Sequence, residues 1–214
     1  MNNALRYIVI DGPIGVGKTT LTQRVAQALG GHTLLENAEE NPFLERFYHD
    51  PKHHALPAQL FFLFQRARQM DGLRQQDMFA PVTVADFLID KDALFARLNL
   101  ADDELHLYEQ VYKHASVSAP KPDLVIHLHA PVDVLLERVR KRSRQAESLL
   151  SREYLVRVVE AYTRFFHYYD DAPLLTINAS HVDWIHNDAH FEELLTRIRQ
   201  TRSGRHFFNP VTPT

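Results

Sequence analysis

The chain contains no cysteine, which excludes a disulfide framework, thiolate metal sites and a thiol nucleophile, and suits a reducing interior. It holds no apolar run of bilayer-crossing length, and residues 1–6 carry no apolar signal core, so no membrane partner and a cytoplasmic location are expected. Neither sign of charge is in large excess: 24 Lys and Arg against 27 Asp and Glu leave a net charge of −3. That balance argues against binding to a nucleic acid polymer, so any affinity for anions must come from a local cluster of cations. The 13 histidines are scattered, and none of the spacings makes a metal-ligand set. Repeats and low-complexity segments are absent too. A hydrophobic share of 45% and 214 residues predict one α/β domain, with no room for a second full one.

Glycine is scarce, yet three of the 7 glycines stand between positions 12 and 17. The run Gly12-Pro13-Ile14-Gly15-Val16-Gly17-Lys18-Thr19 reads G-x-x-x-x-G-K-T and continues into Thr20. Before it Tyr7-Ile8-Val9-Ile10 has the apolar character of a buried parallel strand. After it Leu21, Val25, Ala28 and Leu29 recur at helical spacing. Strand, glycine loop and helix together predict a phosphate-binding loop, in which backbone N–H groups at a helix N-terminus cradle phosphate oxygens. Lys18 would reach the outer phosphates, and the Thr19 hydroxyl would serve as an oxygen ligand for Mg²⁺.

Further strands are predicted at His32–Leu35, Pro81–Ala85, Leu124–Leu128 and Leu174–Ile177. Between them the spacing predicts a short helix near Phe43–Tyr48, a turn over 49–54, and a long helix over 58–76 opened by Pro57. Helices are also expected over 90–98, 102–116, 132–142 and 152–169, with a last one including 191–198. Strands alternating with helices imply a five-stranded parallel sheet with helices on both faces. Residues 1–202 form the expected domain and 203–214 a loose tail. Ligands of such sheets bind beyond the carboxyl ends of the strands, so the loop, Glu36 and Asp86, each directly after a strand, should meet at one edge.

Those residue types suit phosphoryl transfer. A kinase needs a carboxylate to take the proton of an attacking hydroxyl, a metal, and cations that follow the phosphoryl group. Glu36 is the candidate base, Thr19 with Asp86 the candidate metal pair, and the cluster Arg138 to Arg144 the candidate cations. Arg138 and Arg142 lie one helical turn apart and would present two guanidinium groups to one polyphosphate. An Asn-Lys-x-Asp base-reading motif of the hydrolysing switch proteins is absent. An amide at Gln59 offers donor and acceptor to a base edge, with Arg66 two turns along the same helix face.

On these residues the chain resembles the deoxynucleoside kinases, the deoxyadenosine, deoxyguanosine and deoxycytidine kinase group of P-loop kinases, from about Tyr7 to Ile198. The resemblance implies that Glu36 is the base for a 5′-hydroxyl and that Tyr48 with Glu147 holds the sugar 3′-hydroxyl. It implies that Gln59 binds the base edge, with Arg66 and its partner Asp92 alongside. Arg138, Arg142, Arg144 and Glu147 repeat the Arg-x-x-x-Arg-x-Arg-x-x-Glu spacing of the family's lid, about 138–150, with Arg144 on ATP. ATP or another nucleoside triphosphate as donor, Mg²⁺ and a homodimer follow from the same likeness. One departure stands out. The family carries an acid, an Arg and a Ser after strand three, and here the run is Asp86-Phe87-Leu88. A lid arginine is expected to replace the lost cation, and Phe47, Phe61, Phe62 and Phe87 are candidates to stack on the base. An Arg66–Asp92 pair would crowd a thymine methyl, so deoxyadenosine, deoxyguanosine or deoxycytidine is expected ahead of thymidine. Two rivals remain: a thymidylate-kinase-like monophosphate kinase, in which a carboxylate at Glu36 would repel the acceptor's own phosphate, and a nucleotide-binding regulator without catalysis.

Overall fold

The computed structural model describes residues 5–74, 81–115, 119–142, 146–180, 184 and 187–209. Six strands form one sheet: β1 (Tyr7–Asp11), β2 (His32–Leu34), β3 (Thr83–Ala85), β4 (Leu124–His129), β5 (Leu174–Asn178) and β6 (Arg205–Phe208). They run parallel throughout in the order β2-β3-β1-β4-β5-β6. The helices are α1 (Lys18–Ala28), α2 (Leu44–His49), α3 (Pro51–Arg74), α4 (Lys91–Asn99), α5 (Asp102–His114), α6 (Val132–Arg142), α7 (Arg152–Tyr168) and α8 (Asp188–Gln200). Among the described residues, no helix is long and apolar enough to cross a membrane.

The unbroken apolar runs explain the middle of the sheet, because every residue of β1 is buried and β4 is buried up to His129. β2 is an edge strand, so it is short and partly exposed. α7 closes over one face with Tyr154, Leu155, Val158, Tyr162 and Phe166 inward, and Ser151 caps its start by accepting from the Tyr154 N–H at 3.1 Å. Trp184 is buried in this main core.

Two expectations change. The sheet has six strands instead of five, because residues 205–208, assigned to a loose tail, pair with β5 from Leu174↔Arg205 to Ile177↔Phe208. The Phe208 side chain is buried in the core, and Arg205 donates to the Tyr169 carbonyl at 2.8 Å. The second change is in α3, which begins at Pro51, inside the expected turn, and runs through Pro57. Pro51 sits at the first helical position, where an N–H would have no partner anyway. Pro57 removes the bond to the carbonyl of residue 53, which lies on an exposed turn where water can replace it.

Candidate functional site

The strand order reverses around β1, and there the chain opens a cleft of about 990 Å³, its open mouth included. One wall is the phosphate loop. Gly15 adopts φ 83°, and a Cβ there would press on the Leu135 carbonyl at 2.8 Å; Gly17 caps α1 in the left-handed region at φ 102°. Gly12, Ile14, Gly15, Gly17, Lys18 and Thr19 line the cleft, whereas Pro13, Val16 and Thr20 do not. Lys18 Nζ donates to the carbonyls of Gly12 at 2.8 Å and Pro13 at 3.2 Å. Burial and the nearby Lys91 ammonium lower the proton affinity of Lys18 below the ordinary lysine range.

Asp86 and Glu36 arrive from neighbouring strand ends, as the topology requires. The Thr19 hydroxyl donates to Asp86 Oδ2 at 2.6 Å, and the Glu36 backbone N–H donates to Asp86 Oδ1 at 2.7 Å. Burial raises the Asp86 pKa, against the pull of those two donors. Thr19 and Asp86 thus set two oxygens side by side at the mouth of the loop. This is the donor type that a hard divalent cation takes when it shares itself with phosphate oxygens. Among the described residues no group of three or more His, Cys, Asp or Glu could hold a metal by itself.

Glu36 is clamped from two sides. Arg66 Nε donates to its Oε1 at 2.9 Å, with Nη2 on the same oxygen, and Lys91 Nζ donates to Oε2 at 3.1 Å. Burial opposes ionisation, but the Arg66 guanidinium and the Lys91 ammonium outweigh it and pull the Glu36 carboxyl down to about 2. Arg66 also holds Asp92 through Nη1, and Gln59 Nε2 donates to Asp92 Oδ1 at 2.9 Å and to the Asp92 carbonyl at 3.1 Å. Asp92 is fully buried behind the cleft, with its Oδ2 unpartnered among the described residues; burial raises its carboxyl to about 6, against the attraction of Arg66.

The far wall is aromatic and acidic. Tyr48 lines the cleft and packs on Tyr154, ring centroids 6.1 Å apart, and burial carries its phenol well above the ordinary value. Glu147, on a 3-10 turn at Ala146–Leu149, lines the same wall and clasps Arg142, whose Nε donates to Oε2 at 3.1 Å. Of the candidate stacking rings, Phe47 and Phe62 line the cleft. Phe61 does not, and Phe87 is fully buried with Met70 and Ile89 in a separate small core.

The lid arginines separate. Arg142 lines the cleft, whereas Arg138 does not: its Nη2 donates to the Ala179 carbonyl at 2.7 Å, and its Nη1 reaches Val16 O at 3.4 Å. It bridges the phosphate loop to the segment after β5. Arg144 lies outside the described residues.

Two site residues escape the sequence reading. Asp11, fully buried, accepts from the N–H groups of Gly12 at 2.7 Å and Leu88 at 2.9 Å and from the Tyr162 hydroxyl at 3.0 Å. It ties the start of the phosphate loop to the segment after β3 and to α7. Its position directly before the first motif glycine was the available signal. The second is Lys91, 3% exposed and lining the cleft; its only signal was a lysine between two aspartates at the start of a helix.

A polyphosphate cradle that opens onto a second, part-apolar recess is the working arrangement of P-loop phosphotransferases, which carry a phosphoryl group between two molecules bound side by side. Comparison with known proteins narrows that class. A sequence model described as deoxynucleoside kinase matches residues 8–202, and the chain belongs to the deoxynucleoside kinase family. It is 30% identical over 204 residues to a deoxyguanosine kinase of Bacillus subtilis (strain 168), covering 92% of this chain and 98% of that one. It is 32% identical to a deoxyadenosine kinase of Dictyostelium discoideum, covering 97% and 83% respectively. Among solved structures, a deoxyadenosine kinase from M. mycoides with the products dCMP and dCDP superposes with a TM-score of 0.78. That match covers 90% of this chain and 98% of that one at 24% identity, a likeness of fold.

Proposed function

We propose that this kinase transfers the γ-phosphoryl group of ATP to the 5′-hydroxyl of a deoxyribonucleoside in nucleotide salvage in the cytoplasm. Deoxyadenosine, deoxyguanosine and deoxycytidine are accepted ahead of thymidine. The observation that carries this reading is the placement of the Glu36 carboxylate in the same cleft as Lys18 and Thr19, with the Glu36 backbone N–H and the Thr19 hydroxyl both bonded to Asp86. A carboxylate kept ionised there suits a hydroxyl acceptor and repels an acceptor that already bears a phosphate.

Each residue then has a task. The N–H groups of the loop and Lys18 bind the β- and γ-phosphates. Glu36 takes the hydroxyl proton; in a loose phosphoryl-transfer transition state little charge builds on the attacking oxygen, so a weak base suffices. Tyr48 and Glu147, on one wall, hold the sugar 3′-hydroxyl. Arg142 attends the phosphates from the lid, and Arg138 and Arg144 belong to the ATP side. Thr19 and Asp86 would hold Mg²⁺, whose chemistry is to neutralise charge on the β- and γ-phosphate oxygens. With its amide nitrogen engaged by Asp92, Gln59 offers Oε1 as an acceptor, which suits the exocyclic amino group of adenine, cytosine or guanine; thymine has none.

A panel of the four deoxynucleosides and their monophosphates with ATP and Mg²⁺ tests this. Turnover of the three amino-bearing nucleosides at least about 10-fold above thymidine is expected, the scale of one buried polar contact. Thymidine as best acceptor would overturn the base assignment, and transfer only to monophosphates would overturn the reaction.

A homodimer is part of the proposal, supported by Phe64 on α3 and Leu107 on α5, large apolar side chains 50% and 48% exposed on two helices that pack together. Phe64→Glu should place a charge in the helix interface and shift the mass seen by size-exclusion chromatography with light scattering from dimer to monomer. An unchanged mass would move the interface elsewhere.

A further inference from the structure

The chain lacks an arginine after Asp86, and the cleft nevertheless holds a buried cation that the family pattern does not assign. Lys91 opens α4, where its charge is opposed by the partial positive charge of the helix N-terminus. A lysine 3% exposed also carries a desolvation cost. Neither circumstance favours it as a purely structural residue. Arg66 occupies Glu36 Oε1 with two N–H donors but also holds Asp92, so Lys91 is the second cation of a buried cluster with the carboxylates Glu36, Asp92 and Asp11. Lys91 Nζ sits 3.1 Å from Glu36 Oε2 and 3.8 Å from Asp11 Oδ1, on the side of Glu36 away from Arg66. Among the described residues its hydrogen-bond acceptor is Glu36 Oε2, so two ammonium protons remain for oxygens that enter the cleft.

Phe87 packs beneath this pair of cations. Its ring lies below both cations, 5.9 Å from Lys91 Nζ and 6.0 Å from Arg66 Cζ, and presents an aromatic face to them. An arginine at 87 would add a third cation to this pair. Phenylalanine at 87 instead leaves the pair without a third charge, and the cation of this stretch enters the cleft from α4 at Lys91.

We propose that Lys91 is a catalytic residue of this kinase: its ammonium bonds the oxygens of the phosphoryl group in transit between ATP and the acceptor hydroxyl, while holding Glu36 in place. The inference rests on the kinase reading above. In that step the bond from the acceptor oxygen to the γ-phosphorus forms as the bond from phosphorus to the ADP oxygen breaks. The hydroxyl proton passes to Glu36. Lys91 keeps all of its protons and only exchanges hydrogen-bond acceptors.

The test compares steady-state kinetics of Lys91→Met, Lys91→Arg and Lys91→Ala with the parent enzyme, using its best nucleoside. Lys91→Met should lose about 10²-fold in kcat, the scale of one donor aimed at a transition state, with both KM values within about 3-fold. Lys91→Arg should recover about 10-fold of that loss, since charge and donors return in another shape. Lys91→Ala should regain turnover, saturably, on addition of propylammonium, which replaces the deleted atoms; 1-propanol should not rescue it. A role limited to filling space would show no such preference for the charged additive, and a role limited to holding Glu36 would not lower kcat at unchanged KM in Lys91→Arg, which keeps that charge. Should Lys91→Met fail to fold, the Arg variant and the amine titration decide. Parent-like kcat in Lys91→Met, or a loss that neither arginine nor propylammonium relieves, overturns the role of Lys91 alone. Absence of nucleoside phosphorylation by the parent enzyme overturns the kinase reading instead.

Discussion

Glu36→Gln should lower kcat for nucleoside phosphorylation by about 10³- to 10⁴-fold, equivalent to about 4–5.5 kcal/mol of barrier, while ATP still binds within a few-fold of its original affinity. The amide fills the same volume but cannot take the hydroxyl proton. Its nitrogen would also turn a donor toward Lys91 or Arg66, both of which are donors themselves. The link from the Glu36 backbone N–H to Asp86 survives the change, so the phosphate loop and Thr19 keep their neighbour. ATP binding is therefore the control that separates lost chemistry from lost structure. The rival monophosphate kinase predicts the opposite, because its acceptor brings an anion that a carboxylate repels. In that case the Gln variant would phosphorylate monophosphates as well as the parent does. Retained nucleoside turnover in Glu36→Gln would remove Glu36 as the proton acceptor.

How far this site was legible depended on whether its parts are local or are brought together by topology. The phosphate loop is local, and its eight residues can be read directly. Glu36 and Asp86 were legible one step later, because carboxylates ending adjacent parallel strands must share the sheet edge that carries the loop. Gln59 and Arg66 share a helix face by spacing alone, and they do line one cleft. Lys91 was not legible, because its importance depends on how the turn from Asp86 to Asp90 folds back onto Glu36, and no periodicity encodes that. Asp11 was quoted with the motif, but its bonds run to backbone N–H groups and a tyrosine 151 residues away. β6 escaped for a similar reason. A four-residue strand with alternating exposure in only its last two side chains carries almost no signal until the edge of β5 is there to receive it.

Arg66→Met should destabilise the folded enzyme by about 3–5 kcal/mol near neutral pH, the cost of leaving buried partners unpaired. The guanidinium is 4% exposed and serves Glu36 and Asp92 together, and Asp92 lies fully buried with one carboxylate oxygen already lacking a donor among the described residues. Methionine replaces the volume and none of the charge. The loss should shrink in acid, and the sign follows from Asp92. Its folded pKa, raised by burial to about 6 from an ordinary 3.8, means that stability is fully present below 3.8 and is lost as pH rises through 6. Removing Arg66, the strongest pull in the other direction, raises that pKa further and extends the loss into the neutral range. Glu36 behaves oppositely in the parent: held at about 2 against an ordinary 4.5, it contributes stability above 4.5 that disappears as pH falls through 2. Without Arg66 that contribution also falls, though Lys91 remains to hold Oε2. Thermal melts of parent and variant at pH 5 and pH 8 check this, with a deficit clearly larger at pH 8. Equal melting temperatures at both would mean that the two carboxylates are not held in place by this guanidinium, and that the cleft wall built on Asp92 and Gln59 stands without it.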